Sequence, residues 1–131
     1  MQVGSGECAA LAFQALRSAG AKTRAGPDYP EPKDYVWGRQ VLLIEGRPEG
    51  PVTTGDLGDV RPGDIVQYRD TKFARAHFEH HTSVVRKIDP KILTVYQQNV
   101  GGVRVVREGS VHIDRLVQGW IRIYRPIPVR D

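Results

Sequence analysis

The sequence has little cysteine, no long apolar run and only a small excess of charge of one sign. Its 131 residues include a single cysteine, Cys8, which excludes an internal disulfide framework and a cysteine-rich zinc finger. The longest apolar runs, at 8–13 and 41–44, are far shorter than the roughly 20 residues that a membrane span needs. The opening residues lack the basic and apolar segments of a signal peptide. These absences leave a soluble domain that carries one thiol.

The composition is that of one ordinary globular domain. A mass of 14.6 kDa lies near the commonest domain size, and 40% hydrophobic with 26% charged residues is a globular balance. The net charge of +4 is small and scattered along the chain, which argues against nucleic-acid binding. We therefore expect a single domain over residues 1–131.

The first segment has the apolar spacing of an amphipathic helix. Its apolar side chains recur at intervals of three and four residues, which place them on one helical face: Cys8, Leu11, Ala12, Ala15, Leu16 and Ala19. Ser5 suits the N-cap, Glu7 suits the first turn and Gly20 suits the C-terminal end. The sequence predicts a helix with Cys8 in its first turn.

Residues 21–62 contain six of the nine prolines and many turn-forming residues. We expect an irregular excursion here, because a long irregular stretch inside a compact domain commonly has a function such as forming a cleft wall. One apolar piece, 36–44, interrupts it, and its pattern fits either a short helix or a strand.

After residue 62 the pattern becomes that of short β-strands separated by turn signals. A turn at 89–91 separates the second and third strands, and paired glycines precede the fourth. Strands are predicted at 64–68, 81–88, 92–98, 103–107 and 120–124. A helix followed by consecutive strands at hairpin spacing predicts an α+β domain with an antiparallel sheet.

Cys8 lies where a helix N-terminus would stabilise a thiolate. The N–H groups and the macrodipole of a first turn favour an anion, and the same N–H groups can hold an oxyanion. Free cysteines are also among the most buried residue types, so the alternative is a structural Cys8 packed on the apolar helix face. A nucleophilic role requires a base within reach.

Four histidines are available as that base, and the predicted hairpin singles out His81. In an antiparallel hairpin centred on Pro90, Asn99 pairs with His81, and paired side chains lie on the same face about 5 Å apart. Asn99 would then fix the imidazole tautomer, which gives a Cys8–His81–Asn99 arrangement for nucleophilic catalysis. A register slip of one residue would place Gln98 there instead.

Two other histidines have different interpretations. His77 and His80 precede the predicted strand and are expected on a loop. Together with His81 and Cys8 they could instead form a metal site, although no carboxylate completes the set. We expect neither a metal nor an organic cofactor.

Three further side chains are candidates for substrate binding. Gln2 lies six residues before Cys8, where its amide could complete an oxyanion hole, and the alternative is a frayed terminus. Tyr35 and Trp37 could line a substrate cleft, although such aromatic side chains more often pack in a core or on a sheet.

Five segments, in this order along the chain, resemble motifs of one enzyme group. Residues 6–9 (GECA) resemble the helix start that carries the cysteine in CHAP-type amidohydrolases, within the wider NlpC/P60 and papain-like group. Residues 35–38 (YVWG) resemble the aromatic segment between helix and sheet. Residues 61–66 (RPGDIV) resemble the strand entry, 81–85 (HTSVV) the histidine strand and 96–99 (YQQN) the strand with the polar orienting residue.

The resemblance implies a papain-like fold (CHAP-like or NlpC/P60-like), in which the helix that carries the cysteine packs on an antiparallel, partly barrel-like sheet. It implies hydrolysis of an amide bond without a cofactor, typically in peptidoglycan, by an amidase or an endopeptidase. Cys8 matches the nucleophile, His81 the base and acid, Asn99 the orienting residue and Gln2 the oxyanion-hole amide. Related domains usually act outside the cytoplasm, whereas the charged loop at 69–80 departs from their pattern and leaves the substrate open.

Two alternative functions stay open at the level of the sequence. The same scaffold could be a non-catalytic module that binds a cell-wall or peptide ligand through residues 21–62 and Trp37. It could also be an acyl transferase, which passes the acyl group to an amine rather than to water. Replacement of Cys8 by alanine distinguishes the enzymes from the binding module.

Overall fold

The structure is a computed structural model and describes residues 2, 8–21, 35–73, 76–98 and 105–128. Within these ranges it contains one α-helix, seven β-strands and two short 3₁₀ turns, at Leu57–Asp59 and Ile113–Arg115. The elements, in chain order, are α1 (Cys8–Ser18), β1 (Arg39–Glu45), β2 (Val52–Gly55), β3 (Ile65–Lys72), β4 (His77–Asp89), β5 (Ile92–Gln97), β6 (Arg107–His112) and β7 (Gln118–Arg125). None of the helices in these ranges is long and apolar enough to cross a membrane.

The helix predicted from the apolar spacing is confirmed over the residues that the structure describes. Its C-terminal end is at the expected glycine, because Gly20 has a φ of +70°, which a residue without a Cβ adopts without strain. The Ala21 N–H then donates to the Leu16 carbonyl at 2.8 Å and closes the last turn. The predicted N-cap, Ser5, and the first-turn Glu7 lie outside the described residues.

The strands form one antiparallel sheet in the order β2-β1-β7-β3-β4-β5-β6. The α+β class and the antiparallel pairing are therefore as predicted. Among the described strands, β2 pairs only with β1 and β6 only with β5, so the sheet is open here. The barrel-like character expected from the sequence is not confirmed.

Two sequence predictions differ from the observed strands. The 21–62 segment was predicted to be irregular, but it contains β1 and β2, and the ambiguous piece at 36–44 becomes strand from Arg39 onward. Residues 22–34 of that segment lie outside the described residues. The predicted strand at 103–107 meets β6 only at its last residue, because β6 begins at Arg107 and pairs with β5 as far as His112. Residues 103 and 104 of that prediction lie outside the described residues.

The two faces of the sheet bury separate groups of apolar side chains. The helix-side core joins α1 to the sheet and contains Ala12, Leu16, Ala21, Trp37, Ile65 and Tyr124. The far-side core lies among the strands and turns and contains Leu42, Ile44, Val60, Val66, Tyr68, Val85, Leu93, Val95, Val111, Ile113, Leu116, Ile121 and Ile123. Strands β3 and β7 contribute side chains to both cores, so these strands hold the two cores together.

An ion pair fastens the beginning of β3 to the end of β7. The Asp64 carboxylate is 1% exposed and accepts from Arg125 through both of its oxygens, at 2.6 Å from Nε and 3.1 Å from Nη2. The Arg61 backbone N–H also donates to Asp64, at 2.8 Å. Such bidentate pairing satisfies a buried carboxylate and fixes its geometry. The PGD motif at 62–64 is therefore structural here.

Candidate active site

Cys8 is the first residue of α1, and its side chain is half-buried. The helix lies against β4, the strand that carries three of the four histidines. The structure therefore brings the thiol-bearing helix to the strand on which a base was predicted. Residues 3–7, which precede the thiol, lie outside the described residues.

A chain of polar contacts marks the sheet face that α1 covers. Thr82 on β4 pairs with Gln67 on β3, and the Thr82 hydroxyl donates to the Gln67 Oε1 at 2.8 Å. The Trp37 Nε1–H donates to the same oxygen at 2.8 Å. The Trp37 ring in turn contacts Phe13 of α1 edge-on, with centroids 4.9 Å apart. Gln67 and Thr82 therefore lie on the helix face of the sheet.

His81, the predicted base, lies on the other face. It pairs with Tyr68, a member of the far-side core, and the two rings are 5.0 Å apart. Phe78 stacks on the imidazole at 4.5 Å, and only 2% of His81 is exposed. The imidazole Nε2 is 3.0 Å from the Gln97 Oε1, which holds the ring in place. The structure thus encloses His81 within the sheet, between Tyr68 and Phe78.

Cys8 interacts electrostatically with Tyr68 of β3. Burial raises the pKa of Tyr68, the hydrogen bond with Ser83 lowers it, and charge on Cys8 raises it. Burial also lowers the pKa of His81, while the hydrogen bond to Gln97 opposes that change. Cys8 therefore lies close enough to interact electrostatically with the Tyr68 hydroxyl.

The hairpin that was predicted to carry the orienting residue is formed as expected in its central part. Strands β4 and β5 pair Val84 with Tyr96, the register from which Asn99 was placed opposite His81. Asn99 itself lies outside the described residues. The amide that contacts His81 is that of Gln97, two residues earlier, and the sequence analysis did not consider it. Diagonal cross-strand neighbours were the available signal, because long side chains reach them.

The remaining candidates have varied positions. Gln2 is exposed and Tyr35 half-buried, whereas Trp37 has no exposed surface. Trp37 therefore packs in the helix-side core instead of lining an open cleft, and its ring lies 5.0 Å from that of Tyr35.

The two histidines expected on a loop, His77 and His80, belong to β4 instead. The pairing of β3 with β4 extends as far as His77, so the strand begins four residues earlier than predicted. Among the described residues, no three His, Cys, Asp or Glu side chains come together in a way that could hold a metal ion.

Comparison with known proteins identifies a family to which this chain is similar. The family model described as "AIM3/BBC1 Cysteine proteinase-fold domain" matches residues 1–130. The chain belongs to this family. Its fold is thus a papain-like cysteine proteinase fold, with one helix on a mostly antiparallel sheet over the described residues.

Two individual matches accompany the AIM3/BBC1 family model. "Altered inheritance of mitochondria protein 3" of the yeast Debaryomyces hansenii is 30% identical over 139 residues, which is 97% of this chain. The chain spans only 14% of the length of that relative. The crystal structure of Ly7917 superposes with a TM-score of 0.49 at 20% identity, over 94% of this chain and 55% of that one. The description of the AIM3/BBC1 family names a fold and does not name a peptidoglycan amidase.

Proposed function

We propose that this domain is a cysteine-dependent hydrolase of amide bonds in peptides or proteins, with Cys8 as its nucleophile. The observation that carries the proposal is the position of the single thiol at the start of the one described helix, packed on a histidine-bearing strand of a cysteine proteinase fold. The first-turn N–H groups of a helix favour a thiolate and can bind the oxyanion that forms after attack.

The proposed reaction needs only a thiol, an imidazole and water. The imidazole takes the Cys8 proton, and the thiolate attacks the amide carbonyl to form a carbon–sulfur bond. The carbon–nitrogen bond then breaks, and the imidazolium gives its proton to the leaving amine. Water, deprotonated by the imidazole, hydrolyses the thioester and regenerates the thiol. The assignment predicted from the sequence is His81 for the imidazole, Asn99 for its orientation and Gln2 for the oxyanion.

The finer proposal concerns the substrate. The CHAP and NlpC/P60 resemblance implies a peptidoglycan amide, cut by an amidase or an endopeptidase, whereas the AIM3/BBC1 family match leaves the substrate open. We therefore propose the broader class, an amide within a peptide, and treat peptidoglycan as one member of it. Parallel assays with muropeptides and with an unstructured protein such as casein distinguish the two.

The direct test measures the reactivity of Cys8. We expect alkylation by iodoacetamide to follow an apparent pKa well below the value of about 8.5 for an ordinary thiol. We also expect amide hydrolysis by the wild type that Cys8→Ala and Cys8→Ser both abolish. Ordinary thiol reactivity together with no cleavage of either substrate class would contradict the proposal and favour a binding module. An added amine that is acylated in preference to water would identify a transferase instead.

A further inference from the structure

The amide of Gln97 on β5 contacts the imidazole of His81 on β4. The pairing of these two strands places Gln97 diagonally across from His81, a separation that long side chains span. The Gln97 Oε1 lies 3.0 Å from the His81 Nε2. An amide oxygen only accepts hydrogen bonds, so the imidazole nitrogen that faces it carries the proton. The contact therefore favours the tautomer of His81 that is protonated at Nε2.

A glycine on β6 provides the space for this amide. Gly109 pairs with Val95 of β5, and Gln97 is two residues further along that strand. The Gln97 side-chain nitrogen occupies the place where a Cβ of Gly109 would be, and the Gln97 Cδ lies 2.9 Å from that position. Gly109 is not one of the glycines with a positive φ, so its backbone does not itself require glycine. What the missing side chain leaves is the room that Gln97 fills.

Two aromatic side chains hold the plane of the imidazole. Phe78 stacks on the ring with centroids 4.5 Å apart and an interplanar angle of 14°, and the Tyr68 ring packs at 5.0 Å. A half turn of the ring about its bond to Cβ preserves these contacts, because that torsion is roughly two-fold. The half turn would, however, place a carbon where Nε2 faces Gln97. The hydrogen bond therefore selects one of the two ring orientations.

We infer that Gln97, packed on Gly109, fixes the orientation and the tautomer of His81 and leaves Nδ1 as the nitrogen that accepts a proton. In a neutral imidazole protonated at Nε2, the free lone pair is on Nδ1. In the proposed reaction the Cys8 thiol gives its proton to Nδ1, which yields a thiolate and an imidazolium, and this step alone rests on the proposed function. Charge on Cys8 acts on Tyr68, so the thiol is within electrostatic reach of the side chain that packs on this ring.

Nitrogen-15 NMR of the histidine side chains in the full chain measures the tautomer directly. At pH 8.5 His81 is neutral, because burial lowers its pKa, and His81→Gln identifies its signals by their loss. We expect the wild-type proton on Nε2. Gln97→Leu, which removes the acceptor, should shift the ratio of the two tautomers by about fivefold, the net worth of one hydrogen bond. Gln97→Glu keeps an oxygen at the same reach and should keep the tautomer. A wild-type proton on Nδ1, or an unchanged ratio in Gln97→Leu, overturns the inference.

The role of Gly109 is tested by the addition of one methyl group. In Gly109→Ala the new Cβ meets the end of a flexible side chain, so the Gln97 amide can turn away from His81 while the strands stay paired. We expect the tautomer ratio to shift in the same direction as in Gln97→Leu. Gly58→Ala is the matched control, because its Cβ would meet Asp56, at 3.2 Å, and should leave the ratio unchanged. A wild-type ratio in Gly109→Ala, or an equal shift in Gly58→Ala, overturns the positioning role of Gly109.

Hydrolysis measurements separate this inference from the proposed function. If the wild type cleaves a peptide amide, Gln97→Leu should lower kcat by about tenfold or more and change KM by less than about twofold, because the amide orients the base without touching the substrate. A shifted tautomer ratio with an unchanged kcat would overturn Nδ1 as the nitrogen that acts on Cys8. If the wild type cleaves neither substrate class, the proposed function fails, and the tautomer measurement still decides whether Gln97 and Gly109 position His81.

Discussion

His81 places a titratable group inside the sheet, where its neutral form is favoured. Its ring lies between Phe78 and Tyr68 and contacts Gln97, and burial is the largest cause of its lowered pKa. Protonation of His81 therefore destabilises the folded state. Charging the imidazole inside the sheet costs free energy that charging it in the unfolded chain does not.

The first prediction concerns stability against pH. With the pKa of His81 lower in the folded than in the unfolded protein, the unfolded chain binds more protons below the unfolded value of about 6.5. The free energy of unfolding therefore falls as the pH drops through 6.5 toward the folded pKa, by at most about 1.4 kcal/mol per pH unit for one proton. Urea unfolding at several pH values between 5 and 8 measures this slope.

The matched variant for this measurement is His81→Gln, in which the side chain at this position no longer titrates in that range while the other three histidines stay unchanged. It should be less stable than the wild type at pH 8, where the neutral imidazole makes its contacts, and the difference should shrink as the pH falls. A difference between wild type and variant that stays constant from pH 8 to 5 would show that His81 does not lose stability on protonation.

The face of the sheet on which each side chain of β4 lies could not be read from the sequence. Strands with one buried face show alternating polar and apolar residues, but His81, Thr82 and Ser83 are all buried. The alternation that assigns faces is therefore absent where it was needed. The relation of the two faces becomes visible only through tertiary contacts, such as that of Trp37 with Gln67.

At the level of secondary-structure elements, those that depend on local sequence signals could be predicted from the sequence. The hairpin between β4 and β5 forms around Pro90 and Lys91, and Lys91 adopts a φ of +65° in the turn. Nothing local indicates the register shift between Val85 and Lys87. Nor is β2 evident, because its four residues are all exposed and it is held by pairing with β1. Pairing of distant segments was beyond the reach of local patterns.

A second irregularity, between β3 and β7, supplies the next prediction. Their register shifts between Arg69 and Lys72, and Asp70 has a φ of +48° there. Gly119 on β7, with a φ of +77°, lies so close that a Cβ would collide with the Arg69 and Asp70 carbonyl oxygens. Gly119→Ala should therefore lose about 1–2 kcal/mol from its left-handed backbone and about 1–3 kcal/mol more from the collision. Urea unfolding of this variant measures the sum of the two losses.

Gly20→Ala is the control for that substitution. Gly20 has a φ of +70°, but a Cβ there meets nothing within 4 Å. It isolates the backbone cost, so it should lose only about 1–2 kcal/mol. Equal losses in the two variants would mean that β3 relaxes away from β7 without cost and that the close approach is not maintained in solution.

At the scale of the whole molecule, two cores share one sheet. Tyr124 contributes to the helix-side core and Ile123, beside it in β7, to the far-side core. Likewise Ile65 and Val66 of β3 lie in different cores. Loss of either core exposes one face of the same central strands, and the Asp64–Arg125 pair joins those strands at one end. We therefore expect the two cores to unfold together.

This expectation is tested with one fluorescent probe in the helix-side core. The chain has two tryptophans, and Trp120→Phe leaves the fully buried Trp37 as the single tryptophan. In urea, the Trp37 emission and the far-UV circular dichroism of the sheet should change at the same denaturant concentration, as in a two-state transition. An earlier transition of Trp37 would show that α1 and its core separate from an intact sheet. In that case Cys8 would part from β4 before the fold is lost, and alkylation of Cys8 should accelerate at the same urea concentration.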